Sequence, residues 1–257
     1  MKYILKCNQA LFSLPEFLMC FLFSRLGDCY LTEESCADLA SVLQSENSKL
    51  VELNLSKNRR LEDSGVMYLC DGLRNKNCKL PKLRLEDCDL TEESCAYLAE
   101  VLKSGNSKLT ELHLSKNKGL KDSGVKKLCE GLKHGNCKLQ ILRLEKCDLT
   151  ERSCADLASV LTSENSLIEL NLSKNWLLDS GVESLCEGLK DKNCKLQRLR
   201  LDKCGLKEES CADLSSVLTS ENSLIELNLS KNRLHDSGVK ILCDGLKDNN
   251  CKLQILR

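Results

Sequence analysis

The segment LRLEDCDLTEESCAYLAEVL at residues 83–102 is followed by LHLSKNKGLKDSGVKKLCEGL at residues 112–132, and both recur along the chain. The first type carries the pattern LxxLxLxxCxL and the second carries LxxLxLxxN. The units begin at leucines spaced about 28–30 residues apart: Leu50, Leu80, Leu109, Leu139, Leu167, Leu196, Leu224 and Leu253. This regular spacing predicts a stack of similar units, not a domain built around one central core.

Each unit is expected to contain one strand and one helix. The LxL run alternates apolar and outward-facing residues, which is typical of a short strand. Further along the unit, Cys95, Leu98, Ala99 and Leu102 recur at the spacing of one helix face. Strands stack about 4.8 Å apart, whereas packed helices need about 8–10 Å, so the array must bend around its strands. The predicted fold is therefore α/β, a horseshoe-shaped solenoid with a parallel sheet on the concave face and helices on the convex face.

Hydroxyl residues stand where the helices are expected to begin. Their side-chain oxygens are suited to accept hydrogen bonds from the free amides of a first helical turn. The predicted N-caps are Thr32, Thr91, Thr150, Ser64, Ser123, Ser180 and Ser237.

The chain divides into two predicted regions. Residues 24–257 contain about eight repeats, of which the last, from Leu253, is truncated. Residues 1–23 are apolar and not repetitive, and two interpretations remain open for them. Lys2 and Lys6 before the apolar run at residues 17–23 are typical of a signal peptide. Pro15 and Glu16, and the register of Phe21 and Leu26 with the repeat leucines, favour a degenerate first repeat joined to an unrelated leader.

Most of the 18 cysteines recur at fixed positions of the repeat. One such column is Cys36, Cys95, Cys154 and Cys211, and another is Cys70, Cys129, Cys186 and Cys243. This placement predicts small buried side chains with reduced thiols, and disulfides or metal binding are the alternative. Many reduced thiols are typical of the cytosol, so a cytoplasmic location is expected.

The two alternating motifs resemble ribonuclease-inhibitor-type leucine-rich repeats. They are most similar to the repeats of NACHT-containing NOD-like receptors, particularly the expanded fish group. The resemblance covers about residues 24–257. It implies a cytosolic surveillance protein in which the repeats act as a sensor, an autoinhibitory surface or a partner platform. The chain itself lacks the GxxxxGK[ST] phosphate loop of such receptors.

Composition and motifs argue against several classes of protein. The formal net charge is zero, which disfavours binding to nucleic acid. His113, His134 and His235 occupy different repeat positions and form no nucleophile constellation, so no enzyme is predicted. No cofactor, metal or membrane interaction is expected either.

Candidate binding residues stand on the predicted concave face or its rim. Arg84, Arg143 and Arg200 are spaced two repeats apart, and Ile141 interrupts a column of charged residues. Trp176, the only tryptophan, occupies a position that is basic in equivalent repeats. The candidate partner-binding set is Arg84, His113, Ile141, Arg143, Trp176 and Arg200. The Cys or Asn at the end of each strand is expected to satisfy loop backbone groups, as a structural ladder of Cys88, Asn117, Cys147, Asn175, Cys204 and Asn232.

Three functions are therefore considered. The first is a non-catalytic protein-interaction or sensor module of a NOD-like innate immune receptor, whose parent protein would add a nucleotide-binding domain. The second is a ribonuclease-inhibitor-like enzyme regulator, although such a protein should present an acidic face to its basic enzyme. The third is a secreted recognition protein that uses residues 1–23 as its signal.

Overall fold

The computed structural model describes residues 26–257, so the two interpretations of residues 1–23 lie outside the described part of the chain. Helices and strands alternate strictly. The helices are α1 (Glu33–Gln44), α2 (Glu62–Leu73), α3 (Glu92–Lys103), α4 (Lys121–Leu132), α5 (Arg152–Leu161), α6 (Leu178–Leu189), α7 (Ser210–Leu218) and α8 (His235–Leu246). The strands are β1 (Glu52–Asn54), β2 (Lys82–Arg84), β3 (Glu111–His113), β4 (Ile141–Arg143), β5 (Glu169–Asn171), β6 (Arg198–Arg200), β7 (Glu226–Asn228) and β8 (Ile255–Leu256).

The strands form one parallel sheet in chain order, from β1 to β8. The repeat positions are in register, because Leu53 lies beside Leu83, and Leu83 lies beside Leu112. A helix follows each of the first seven strands, as expected for parallel neighbours that need a long connection. This arrangement confirms the predicted leucine-rich-repeat solenoid, with its parallel sheet on the concave face.

The core is a continuous layer between the sheet and the helices. The leucines of each LxL run are buried, as Leu53 and Leu55 show in the first described strand. From the helix side, the cysteine column of Cys36, Cys95, Cys154 and Cys211 is also buried, with free thiols. Burial confirms the expectation for this column, whereas Cys243 of the second column is exposed.

The ladder residues join neighbouring repeats through buried backbone groups. Asn117 Oδ1 accepts hydrogen bonds from the amides of Cys88 (2.8 Å) and Leu90 (3.2 Å) in the preceding repeat. Its Nδ2 donates to the carbonyls of Leu85 (2.7 Å) and Leu114 (2.8 Å). Cys88 Sγ in turn lies 3.3 Å from the Leu55 carbonyl. Asn175 and Asn232 make the same amide contacts with the repeats of Cys147 and Cys204.

The predicted helix caps are only partly correct. Thr91 Oγ1 accepts a hydrogen bond from the Glu93 amide at 3.3 Å, as expected of an N-cap. Thr32 has the cap position but makes no such bond. The serine caps are wrong, because α4 begins two residues before Ser123 and its Leu120 carbonyl already accepts from the Gly124 amide. Ser64, Ser180 and Ser237 lie inside helices in the same way.

Helices of the two repeat types pack together closely because a glycine faces an alanine. A side-chain carbon at Gly131 in α4 would lie 2.8 Å from both Cα and the carbonyl oxygen of Ala99 in α3. Gly72 approaches Ala40 and Gly188 approaches Ala158 in the same manner. The alternation of motifs in the sequence therefore corresponds to a pairing of helices on the convex side.

Candidate protein-binding surface

The first candidate surface is the sheet face. We define it as the side chains of β1–β8 that point away from the helices, together with the residue two positions after the last residue of each strand. The strand register places Glu52, Lys82 and Glu111 side by side. Lys82 Nζ lies 3.6 Å from Glu52 and 3.1 Å from Glu111. Arg84 Nε lies 2.8 Å from the other oxygen of Glu52. Lateral ion pairs therefore join the first three strands.

A second network centres on Glu169, whose side chain is 5 % exposed. Arg143 Nη2 lies 3.0 Å from Glu169 Oε1, and Arg198 Nε donates to Oε2 at 2.9 Å. Burial opposes ionisation of Glu169, but the hydrogen bond from Arg198 and the nearby Arg143 charge outweigh it, so the pKa of Glu169 is lowered. This carboxylate is a fixed negative centre between two cations.

The next glutamate along the sheet is paired differently. Glu226 lies beside Arg198 in the strand register, but its ion pairs are with Arg200 at 3.7 Å and Arg257 at 3.3 Å. The reason is that Arg198 is already engaged by Glu169 at 2.9 Å. Ion pairs on this face therefore join residues at equivalent positions of neighbouring strands, such as Arg198 and Glu169, and also residues at different positions, such as Arg200 and Glu226.

Five of the six predicted candidate residues lie on the sheet face, in two settings. Arg84, Arg143 and Arg200 are half-buried on β2, β4 and β6, so one strand separates each from the next, and Ile141 is half-buried beside Arg143 on β4. His113 does not reach the surface as the sequence suggested, since only 1 % of its side chain is exposed. Its ring lies between Glu86 and Glu111, with nitrogen–oxygen distances of 3.6 Å to each.

The sheet face also holds polar atoms whose hydrogen-bonding capacity is not used. Across residues 26–257, the buried side-chain nitrogens and oxygens that have no hydrogen-bond partner all lie on this face. They are Nε of Arg84, Arg143 and Arg200, both ring nitrogens of His113, and Oε1 of Glu169 and Glu226. Several of them lie at ion-pair distance from a partner but outside hydrogen-bond geometry.

The second candidate surface is the rim, where each strand turns toward its helix. Trp176 stands there with 69 % of its surface exposed. It lines a groove of about 660 Å³, which we call the rim groove, together with the exposed Leu178 and with Gly205. Basic residues also line the groove around these two apolar side chains, namely Lys118, Lys146, Lys174, Lys203, Lys207, Lys231 and Arg233.

Sequence reasoning identified Trp176 but missed the basic residues around it. Their signal was available, because a lysine immediately precedes the ladder residue at Lys146, Lys174, Lys203 and Lys231. These four lie in successive repeats, so only the lateral stacking of the solenoid brings them to one groove.

Between residues 26 and 257, no three His, Cys, Asp or Glu side chains are grouped so that they could hold a metal ion. None of the helices in this same region is long and apolar enough to cross a membrane.

Comparison with known proteins agrees with this architecture. The family model described as "Leucine Rich repeat" matches residues 46–70, 105–129, 164–186 and 221–243, each of which runs from the end of one helix into the helix of the next repeat. The chain contains leucine-rich repeats.

Its relatives fall in two named groups. The chain is 47 % identical to mouse (Mus musculus) ribonuclease inhibitor over 232 residues, which is 90 % of this chain and 50 % of the inhibitor. It is 50 % identical to bovine (Bos taurus) NACHT, LRR and PYD domains-containing protein 3 over 232 residues, covering 90 % of this chain and 22 % of that protein. It is 49 % identical to the mouse NACHT, LRR and PYD domains-containing protein 12 over 232 residues, again covering 90 % of this chain and 22 % of that protein.

The resemblance to ribonuclease-inhibitor-type and NACHT-receptor repeats is thereby confirmed. The chain spans about half the length of the ribonuclease inhibitors and about a fifth of the receptors. Its repeats are thus related to parts of two kinds of larger protein.

Proposed function

We propose that this chain is a non-catalytic protein-binding module that engages its partner through the sheet face and the rim. The observation that carries the proposal is the set of partly exposed arginines on the sheet face. Arg84, Arg143 and Arg200 keep 29 %, 33 % and 32 % of their side chains exposed, although each lies near a glutamate of a neighbouring strand. A protein partner that supplies carboxylate or carbonyl oxygens would bind these guanidinium groups from the open side of the sheet.

The shape of the array supports the same conclusion. A parallel sheet of eight strands presents side chains from every repeat to one continuous surface. Such solenoids use an extended concave surface for recognition, and no single enclosed pocket is needed. The half-buried Arg84, Arg143 and Arg200 are suited to the purpose, since arginine is enriched at the energetic centres of interfaces.

Within this role, we assign the module to a NOD-like innate immune receptor that works in the cytoplasm. High identity to the NACHT, LRR and PYD domains-containing proteins supports the assignment. Buried free thiols such as those of Cys95 and Cys154 are compatible with a reducing compartment. A nucleotide-binding domain in the parent protein would be a neighbour of the repeats, and its contact with them would be one form of partner binding.

The alternative is an inhibitor of ribonucleases, which the 47 % identity to mouse ribonuclease inhibitor favours. The charge pattern of the sheet face argues against it. Capture of a strongly basic enzyme needs an acidic surface, whereas here the acidic Glu52, Glu111 and Glu169 alternate with basic side chains. Titration of ribonuclease A activity with the purified chain should leave the activity unchanged, and stoichiometric inhibition would establish the alternative.

The test of the main proposal uses charge reversal on two faces. Tagged wild-type chain and the variants Arg143→Glu and Lys126→Glu are used to capture proteins from a cytosolic extract of the source cells. Arg143 lies on the sheet face and Lys126 is exposed on α4, on the helix side. We expect a partner that binds wild type and Lys126→Glu but not Arg143→Glu. Equal capture by both variants, or loss only with Lys126→Glu, would contradict a sheet-face binding site.

A further inference from the structure

The rim carries two lines of residues that flank the ladder and change in character along the array. The residues before the ladder position are Asp28, Lys57, Asp87, Lys116, Lys146, Lys174, Lys203 and Lys231. Those after it are Tyr30, Arg59, Asp89, Lys118, Asp148, Trp176, Gly205 and Arg233. Acidic and basic residues therefore mix over the first half of the rim. Beyond Asp148 the same positions hold cations, one tryptophan and one glycine.

The two halves of the rim also differ in how many of their charged side chains form ion pairs. In the first half, Arg59 Nη2 lies 3.1 Å from Asp87 Oδ1, so these two opposite charges form an ion pair. In the rim groove, Lys174 pairs with Glu145 at 2.6 Å. In the described part of the chain, the side chains of Lys146, Lys203, Lys207, Lys231 and Arg233 form no ion pair. Asp148 is the one carboxylate among the residues that line the groove.

The backbone holds these lysines in fixed positions. Lys146, Lys174, Lys203 and Lys231 all have a left-handed φ, between 54° and 61°. The amides of the first three donate to the carbonyls of Ser173, Asp202 and Ser230 in the next repeat, at 3.0, 2.8 and 2.9 Å. Because each loop is bonded to its neighbour, the backbones that carry these lysines are spaced like the strands, about 4.8 Å apart.

Trp176 and Leu178 form the apolar part of the groove, and the neighbouring Gly205 has no side chain to cover them. Gly205 has a φ of +76°, and a side-chain carbon there would meet Leu178 Cδ2 at 3.0 Å and Trp176 Cε3 at 3.9 Å. In equivalent repeats the glycine position holds Tyr30, Asp89 or Asp148. Replacement by glycine therefore exposes the faces of Trp176 and Leu178 between the lysines.

From these features we propose that the rim groove binds an acidic peptide segment of the partner, with an aromatic residue between carboxylates. The aromatic side chain packs on Trp176 and Leu178, and the flanking carboxylates lie among Lys203, Lys231 and Arg233. Aromatic pairing gives orientation, and opposite charges give complementarity and faster association. The inference rests on the proposed protein-binding function and specifies the chemistry of one part of the partner.

A single-stranded nucleic acid is the competing ligand for a basic, aromatic groove. Such ligands usually require several aromatic platforms along a continuous cationic track. Among the described residues of the rim, Trp176 is the single aromatic of the groove, and the track ends at Asp148 and the mixed-charge half. The observations therefore favour a short peptide.

Trp176 provides the assay, because it is the only tryptophan of the chain. A synthetic peptide with phenylalanine between two pairs of glutamates is titrated while the emission of Trp176 is followed. We expect a saturable blue shift that weakens as salt is added. The same peptide with lysines in place of the glutamates, and a twelve-nucleotide oligothymidine, should cause little change.

Charge reversal locates the site. The double variant Lys203→Glu, Lys231→Glu is expected to weaken peptide binding by about tenfold or more. The matched control Lys57→Glu, Arg60→Glu makes an equal change of charge at the other end of the rim, and its affinity should stay within about twofold of wild type. Circular dichroism checks that both variants are folded.

Several outcomes would overturn the proposal. These are an unchanged Trp176 emission, equal weakening by the two double variants, equal binding of the lysine peptide, and tighter binding of the oligothymidine. If a protein partner is captured through Arg143 while the peptide fails to bind, the proposed function stands and this inference falls. If the peptide binds as expected but Arg143→Glu retains every captured protein, the rim groove stands and the sheet-face proposal falls.

Discussion

Substitution of Asn117 by alanine tests the claim that the amide ladder holds adjacent repeats together. The side chain is buried and makes four hydrogen bonds to backbone groups of two repeats. A buried hydrogen bond contributes about 1 kcal/mol net, so loss of four predicts a decrease of about 4 kcal/mol in the free energy of unfolding. That is a large share of the roughly 5–15 kcal/mol typical of a folded protein.

Urea unfolding followed by far-ultraviolet circular dichroism measures this decrease. Asn136→Ala is the control, since Asn136 is exposed and donates one bond to the Lys103 carbonyl at 3.0 Å, and it should change stability by less than about 0.5 kcal/mol. Asn232 makes the equivalent four hydrogen bonds in a partly buried setting, so Asn232→Ala should cost about 2 kcal/mol. This second variant keeps the test possible if Asn117→Ala does not fold.

Hydrogen exchange supplies a local measure of the same effect. The amides of Cys88 and Leu90 lose their acceptor in Asn117→Ala and should exchange faster than in wild type. If Asn117→Ala unfolds within about 1 kcal/mol of wild type, or matches Asn136→Ala, the ladder does not stabilise the array in the way described.

Three further predictions concern packing, thiols and pH. Gly131→Ala should cost about 1–3 kcal/mol because its new carbon would lie 2.8 Å from Ala99, whereas Gly135→Ala, with nothing within 4 Å, should be near neutral in urea unfolding; equal effects would refute the close-packing argument. Iodoacetamide pulses read by mass spectrometry should label the exposed Cys243 before Cys186, whose pKa burial raises to about 12, and simultaneous labelling would contradict the buried column. The lowered pKa of Glu169 means that its ion pairs stabilise the fold above the usual carboxyl pKa and lose this effect as pH falls through the folded value. Arg198→Met should therefore cost about 1 kcal/mol at pH 7 and less at pH 3, while Lys247→Met, from an exposed pair, should show no such dependence; a pH-independent loss would contradict it.

Much of the fold could be predicted because the same pattern of apolar residues recurs in every repeat. The LxL alternation fixed the strands, and the spacing of Cys95, Leu98, Ala99 and Leu102 fixed a helix face. The helix starts were less predictable. Serine is a common N-cap residue, so Ser123 was a reasonable candidate. The helix begins earlier, at Lys121, which has a φ of 50°. A left-handed lysine carries no clear signal in a single sequence.

The candidate surface was predictable only in outline. Arg84, Arg143 and Arg200 were found because their columns can be read from the repeats, and the structure leaves them on the sheet face. His113 is buried, with its ring nitrogens 3.6 Å from Glu86 and from Glu111, and its position in the repeat does not reveal this burial. The rim groove depended on residues in successive repeats and on the missing side chain of Gly205.

The contact between Gly131 and Ala99 has a consequence for how such an array can change in length. The tight interface occurs between one helix type and the other, and Gly72 and Gly188 make the same contact with Ala40 and Ala158. Excision of one unit would set two helices of the same kind against each other, with glycine opposite glycine or alanine opposite alanine. Lengthening or shortening in steps of two keeps the glycine of one helix opposite the alanine of its neighbour, so the natural module for engineering is a pair of repeats.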